Sequence, residues 1–106
     1  MNLELSGIHM DITEDMRNYM NKKLHRLEFA THYIIDLLFK FIKEKHGYKL
    51  ESTINLKWGN SAHIHVDGFD IYESIDKLFD KMELKIKKEK SKVQDHKASS
   101  FREMPE

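Results

Sequence analysis

Two adjacent segments, "YKLESTINLKW" and "AHIHVDGF", repeat with a period of two, and this constrains the fold more than any other feature of the chain. In the first, Leu50, Ser52, Ile54, Leu56 and Trp58 stand against Glu51, Thr53, Asn55 and Lys57. In the second, Ala62, Ile64 and Val66 stand against His63, His65 and Asp67. Successive side chains of a strand point to opposite faces, so each segment reads as a strand with one apolar face. Gly59-Asn60-Ser61 between them has turn chemistry and closes a hairpin. A lone hairpin is marginal in water, so the remaining chain must supply more strands and a covering layer.

Two more segments extend the sheet. "NLELSGI" sets Leu3 and Leu5 against Asn2, Glu4 and Ser6, and Gly7 ends it. The apolar run over roughly 33–44 places Ile35, Leu37, Phe39 and Phe41 on one face; Ile34, Leu38 and Ile42 share the other with Asp36 and Lys40. Helix competes for this run, but its β-branched and aromatic content and the Lys45–Gly47 turn favour strand. The Ile34, Leu38 and Ile42 face reads as ordinary surface apolarity, with a protein contact or weak self-association as the alternative.

The covering layer comes from two helical patterns. Thr13 is placed as an N-cap, Glu14 and Asp15 suit a helix start, and Met16, Tyr19, Met20, Leu24 and Leu27 recur at helical spacing. This predicts a helix over roughly 14–29. A second begins at Asp70, where Glu73 three residues later resembles a capping box. The order β-α-β-β-β-α predicts an α+β fold, with two helices packed on one face of a four-stranded sheet. One domain spans 1–97, and the polar segment 98–106, "ASSFREMPE", is expected to be a short disordered tail.

Several functions are excluded or disfavoured. With no cysteine, thiolate metal sites and cysteine nucleophiles are absent. The N-terminus lacks the pattern of a signal peptide, and no apolar run approaches the roughly 18–20 residues of a membrane span. A cytoplasmic protein with no membrane partner is expected. No Ser-His-Asp spacing, Gly-rich phosphate loop or paired-carboxylate pocket is visible, so the chain is not expected to be an enzyme or to carry a cofactor. His63, His65 and Asp67 are the best metal candidates, but neighbours on one strand face rarely converge on one ion, and no metal site is expected. Trp58, Phe69 and Tyr72 read as core or turn-packing residues rather than ligand stackers.

Charge is more informative by position than in total. The 18 basic residues cancel the 18 acidic ones, so binding to nucleic acid requires charge segregated onto one face. The stretch "DIYESIDKLFDKMELKIKKEK" provides that segregation once it is wound into a helix. With Lys77 at zero and roughly 100° per residue, Lys88, Lys81, Lys92 and Lys85 fall between about 20° and 80°. Ile71, Ile75, Leu78, Phe79, Met82, Ile86 and Val93 cover about 100–200°, and Glu73, Asp76, Asp80 and Glu83 about 240–320°. The lysine stripe spans about 15 residues, or roughly 22 Å, which suffices to track several phosphates. Glu89 falls on the apolar edge, and Lys87 and Lys90 lie outside the stripe. A merely solvated face is the competing reading. Lys22 and Arg26, at i,i+4, sit on one side of the apolar seam of the first helix and Lys23 borders it, so side-by-side helices are expected to join their basic sides into one patch. Such a surface suits phosphates and shape, as in structured RNA, more than base sequence.

The opening "MNLELSG", followed by "MDITEDMRNYMNKKLHRLE", resembles the first strand and "ITxxLRxYVxxKLxKLE" helix of the short-type ribosome hibernation-promoting factor and ribosome-associated inhibitor family, the sigma-54 modulation proteins. "HIHVDGFDIYESIDKLFDKMELKIKKEKSK" is similar to its "DMYxAIDxLxDKLxxQLxKHKxK" segment, and the resemblance covers about residues 1–97. It implies a double-stranded-RNA-binding-domain-like fold and a monomer off the ribosome. It also implies binding to the small ribosomal subunit through its 16S rRNA, in the channel of mRNA and tRNA, with no DNA partner. By position, the rRNA contacts would be Lys22, Lys23, Arg26, Lys77, Lys81, Lys85, Lys88 and Lys92. Blocking would be steric, and promotion of ribosome dimers stays open. Ser74 replaces the family's usual alanine, Trp58 is unusual, and Lys87-Lys88-Glu89-Lys90 stands for "HKxK". The alternative is a regulatory module that binds a protein through its sheet or acidic face.

Overall fold

A computed structural model describes the backbone of residues 1–103 and the side chains of residues 1–92. The elements are β1 (Asn2–Ile8), α1 (Glu14–Leu24), a 3-10 segment (His25–Tyr33), β2 (Ile34–Glu44), β3 (Gly47–Leu56), β4 (Ser61–Gly68) and α2 (Ile71–Glu103). The strands lie in the order β1-β2-β3-β4. β1 is parallel to β2, while β2, β3 and β4 form an antiparallel meander. A parallel neighbour requires a crossover, and α1 with the 3-10 segment provides it. The predicted β-α-β-β-β-α order and the hairpin across Gly59-Asn60-Ser61 are both present.

The core forms where the apolar faces predicted from the alternation meet the seam of α2. Leu37, Phe39, Phe41, Leu50, Ile54, Leu56, Ala62, Ile64 and Val66 pack under Ile71, Ile75, Leu78, Phe79, Met82 and Ile86. Phe39 stacks on Phe79 with ring centroids 5.7 Å apart. α1 adds Met20, with Met16, Tyr19 and Leu24 partly buried beside it. Val93, also placed in the seam from sequence, lies outside the residues whose side chains are described. The tail expected over 98–106 likewise lies beyond the described side chains, and the backbone of its residues 98–103 continues α2.

Two local expectations are corrected. The first helix stops as an α-helix at Leu24, and the chain continues as a 3-10 turn to Tyr33. At three residues per turn, Leu27 and Ala30 share one side, and both are fully buried. The second correction concerns β2, where the register shifts between Ile34 and Asp36. This bulge turns Ile34 inward, leaving it 2% exposed, and turns Ile35 outward at 45%. The predicted faces therefore hold from Leu37 onward, and the uncovered face carries Leu38 and Ile42 without Ile34.

Both helix starts are capped as expected. Met16 N donates to Thr13 Oγ1 at 3.1 Å, and Glu73 N donates to Asp70 Oδ1 at 3.0 Å. Glu73 does not complete a reciprocal box; its carboxylate lies 3.3 Å from Lys77 instead. Among the described residues, no helix is long and apolar enough to cross a membrane.

Candidate nucleic-acid interface

The apolar seam of α2 fixes which way its lysines point. With Ile75, Leu78, Phe79, Met82 and Ile86 held against the sheet, the rail runs along the flank nearest the outer strand β4. Lys81 Nζ donates to the His65 carbonyl of that strand at 3.2 Å. Lys77 pairs with Glu73 at 3.3 Å, and Lys85 and Lys92 reach Glu89 Oε1 at 3.2 and 3.6 Å. Lys88 is exposed and has no carboxylate partner among the described residues. Glu89 is only 8% exposed, the edge position that the helical projection gave it. Its hydrogen bond from Lys85 outweighs burial and holds its carboxyl below the usual range. The rail is therefore a line of ammonium groups, three of them steadied by carboxylates of the same helix.

The cations of α1 and of the 3-10 segment that follows it are placed differently. Lys23 Nζ lies 2.8 Å from Asp76 Oδ1, and Arg26 Nη2 lies 2.7 Å from Asp80 and 2.6 Å from Glu83. α1 and the 3-10 segment thus dock on the acidic flank of α2, and Lys23 and Arg26 neutralise it. The two basic sides do not meet directly, because Asp76, Asp80 and Glu83 stand between the rail and the cations of α1 and the 3-10 segment. The Glu83 and Asp80 carboxylates raise Arg26 further, and Asp76 raises Lys23. Lys22 is exposed without a carboxylate partner among the described residues.

Several side chains sit where the sequence reading did not put them. Phe69, expected to pack in a turn, is 86% exposed. Tyr72 does pack, edge-on to Tyr19 with centroids 5.1 Å apart, and Trp58 lies 5.0 Å from Tyr33. Lys87 Nζ sits 5.6 Å from the centre of the Phe29 ring, and Lys90 Nζ 5.2 Å from that of Tyr33. The sequence carried one usable signal for this cluster: Lys87 and Lys90 fall off the rail and toward the side that receives the crossover. On the uncovered sheet face, Glu4, Leu38, Lys40, Glu51, Thr53, His63 and His65 line a shallow trough of about 350 Å³. His63 Nδ1 bonds Thr53 Oγ1 at 3.1 Å, and no set of three ligands able to hold a metal ion is found among the described residues.

Comparison with known proteins agrees with this architecture. The family model described as sigma 54 modulation protein / S30EA ribosomal protein matches residues 3–94. The chain belongs to this family. Among sigma 54 modulation relatives, a ribosome hibernation promoting factor of Pseudomonas putida is 32% identical over 94 residues, covering 89% of this chain and 91% of that protein. That of Escherichia coli is 29% identical over 96 residues, covering 91% and 100%. A ribosomal subunit interface protein from Coxiella burnetii superposes with a TM-score of 0.79 at 25% identity, covering 86% of this chain and 99% of that one. The Thermus thermophilus Protein Y N-terminal domain gives 0.73 at 26% identity, covering 83% and 98%.

Proposed function

We propose that this protein is a cytoplasmic, non-enzymatic ribosome hibernation factor. It binds 16S rRNA of the small subunit in the mRNA and tRNA channel, and it silences idle ribosomes by occupying that space. The observation that carries the proposal is the lysine rail of α2, five ammonium groups on one flank of a rigid helix within a fold shared by ribosome hibernation promoting factors. A helix whose cations are spaced over about 22 Å matches a phosphate backbone by position and makes no demand on base sequence. Lys77, Lys81, Lys85, Lys88 and Lys92 are assigned direct phosphate contacts, together with exposed Lys22. Lys23 and Arg26 reach phosphate only by exchanging a carboxylate for it. No bond is made or broken in such a mechanism, and the protein acts as a monomer.

The alternative of a protein-binding module has less to work with. Its acidic face is occupied, since Asp76, Asp80 and Glu83 are already bound to Lys23 and Arg26. Replacing Lys77, Lys81 and Lys85 together by glutamate should abolish co-sedimentation with small subunits while leaving the thermal melt intact. Wild-type binding should also weaken steeply with salt, because phosphate contacts release counterions. Undiminished sedimentation of the triple variant would sink the proposal.

A further inference from the structure

We propose that Phe29, Tyr33 and Trp58, with Lys87 and Lys90, form a second RNA contact: a stacking platform for unpaired nucleotides, separate from the lysine rail. Three elements build it. The 3-10 segment presents Phe29 and Tyr33, the β3–β4 turn presents Trp58, and α2 lays Lys87 and Lys90 over the first two rings. The turn is held in place by Lys57 N donating to the Tyr33 carbonyl at 2.9 Å and Gly59 N donating to that of Leu56 at 3.1 Å. The Tyr33 and Trp58 rings meet with centroids 5.0 Å apart, tilted by 36°. Phe29 stays 37% exposed although its ring is large and apolar.

The combination is what a single-stranded nucleic acid recognises. Every base has a π face that stacks on an aromatic ring, and each linkage brings a phosphate for a nearby cation. Tyr33 and Trp58 are partly buried against the core, so the exposed Phe29 ring under Lys87 is the face a base can take, while the displaced ammonium moves onto the phosphate. Two carboxylates adjoin the platform, and both are bound to cations: Glu83 lies 3.4 Å from Lys87 with its other oxygen on Arg26, and Glu89, beside the β3–β4 turn, is held by Lys85 and Lys92. On the helical projection Lys87 and Lys90 lie at about 280° and 220°, on the other side of α2 from the rail. A ligand bound here therefore leaves the rail free.

Trp58 is the only tryptophan of the chain, so its emission reports on the platform directly. The full-length protein is titrated with a short oligouridylate, following Trp58 fluorescence together with the anisotropy of a labelled copy of the RNA. The expected result is a saturable, salt-sensitive quench. It should require roughly tenfold more RNA in Phe29→Leu and in the Lys87→Gln/Lys90→Gln pair, as befits loss of a stacking or phosphate contact. Circular dichroism of each variant establishes that it is folded. The rail triple variant, Lys77→Glu/Lys81→Glu/Lys85→Glu, should keep the quench while losing sedimentation with small subunits, so the two proposals fail independently. Unchanged emission, whether RNA binds elsewhere or not at all, overturns the platform. An equal quench by polyglutamate also overturns it, as that would mark a site for acidic peptides.

Discussion

The hydroxyl of Tyr19 donates a 2.6 Å hydrogen bond to Asp76 Oδ1, joining α1 to α2 across 57 positions of sequence. Lys23 Nζ approaches the same oxygen at 2.8 Å. Burial works against the Asp76 carboxylate, but the bonds from Lys23 and Tyr19 win and hold it below the usual range. Asp76→Asn keeps an acceptor for Tyr19 and removes the ion pair. Because Asp76 is 41% exposed, solvent screening limits the expected loss to about 1 kcal/mol, or about 4–8 °C in thermal midpoint. A midpoint that moves by less than about 1 °C would show the pair to be worth no more than an ordinary surface contact.

The pH dependence of stability follows from the same carboxylates. Arg26 holds Glu83 below its ordinary value, Lys85 does so for Glu89, and Asp76 is lowered against its burial. The unfolded chain therefore takes up protons first as acid is added. The contribution of these groups is fully present above about pH 5 and drains away as pH falls through about 4 and below. Urea midpoints measured from neutral to acid pH should fall in that window. Asp76→Asn should flatten the fall, and a parallel curve would mean that Asp76 titrates alike in both states.

Gly68 ends β4 beneath the first turn of α2, where a Cβ would clash with Ser74 Oγ. Ser74 is buried, and its hydroxyl donates to the Asp70 carbonyl at 2.7 Å, so it has little room to yield. Gly68→Ala should cost about 1–3 kcal/mol as overpacking. Ser74→Ala in the same chain should recover most of that loss, since the remaining neighbours, Ser74 Cβ at 3.5 Å and the Asp70 carbonyl oxygen at 3.9 Å, are at ordinary contact distance. Equal stability losses in the single and double variants would place the clash elsewhere.

How much of this was legible in sequence depended on whether a feature was set locally. The strands, both caps and the faces of α2 follow from periods of two and 3.6 and from single capping residues, and the structure reproduces them. The Ile34–Ile35 exchange did not follow, because a bulge is set by the pairing partner on β3 and not by the strand's own alternation. The side on which α1 docks was likewise invisible. Sequence grouped Lys22, Lys23 and Arg26 by position, but only the pairing of Lys23 and Arg26 with Asp76, Asp80 and Glu83 shows which flank of α2 these two meet. Phe69 was misplaced for a related reason: its position beside a helix cap says nothing about whether neighbouring elements cover it.

Glu89 provides the sharpest test of the rail. It is an acid inside the basic run, buried at the edge of the seam and bound to Lys85 and Lys92. With its charge present, those two lysines reach a phosphate only after giving up part of an existing ion pair. Glu89→Gln preserves shape and one hydrogen-bond acceptor while releasing both ammonium groups. Stability should change by no more than about 1 kcal/mol, as the two lysines are substantially exposed. Binding to small subunits should tighten severalfold at low salt, and the salt dependence should steepen by about 0.7–0.9 in log–log slope for each lysine newly engaged. Affinity and slope matching the wild type would remove Lys85 and Lys92 from the RNA contact.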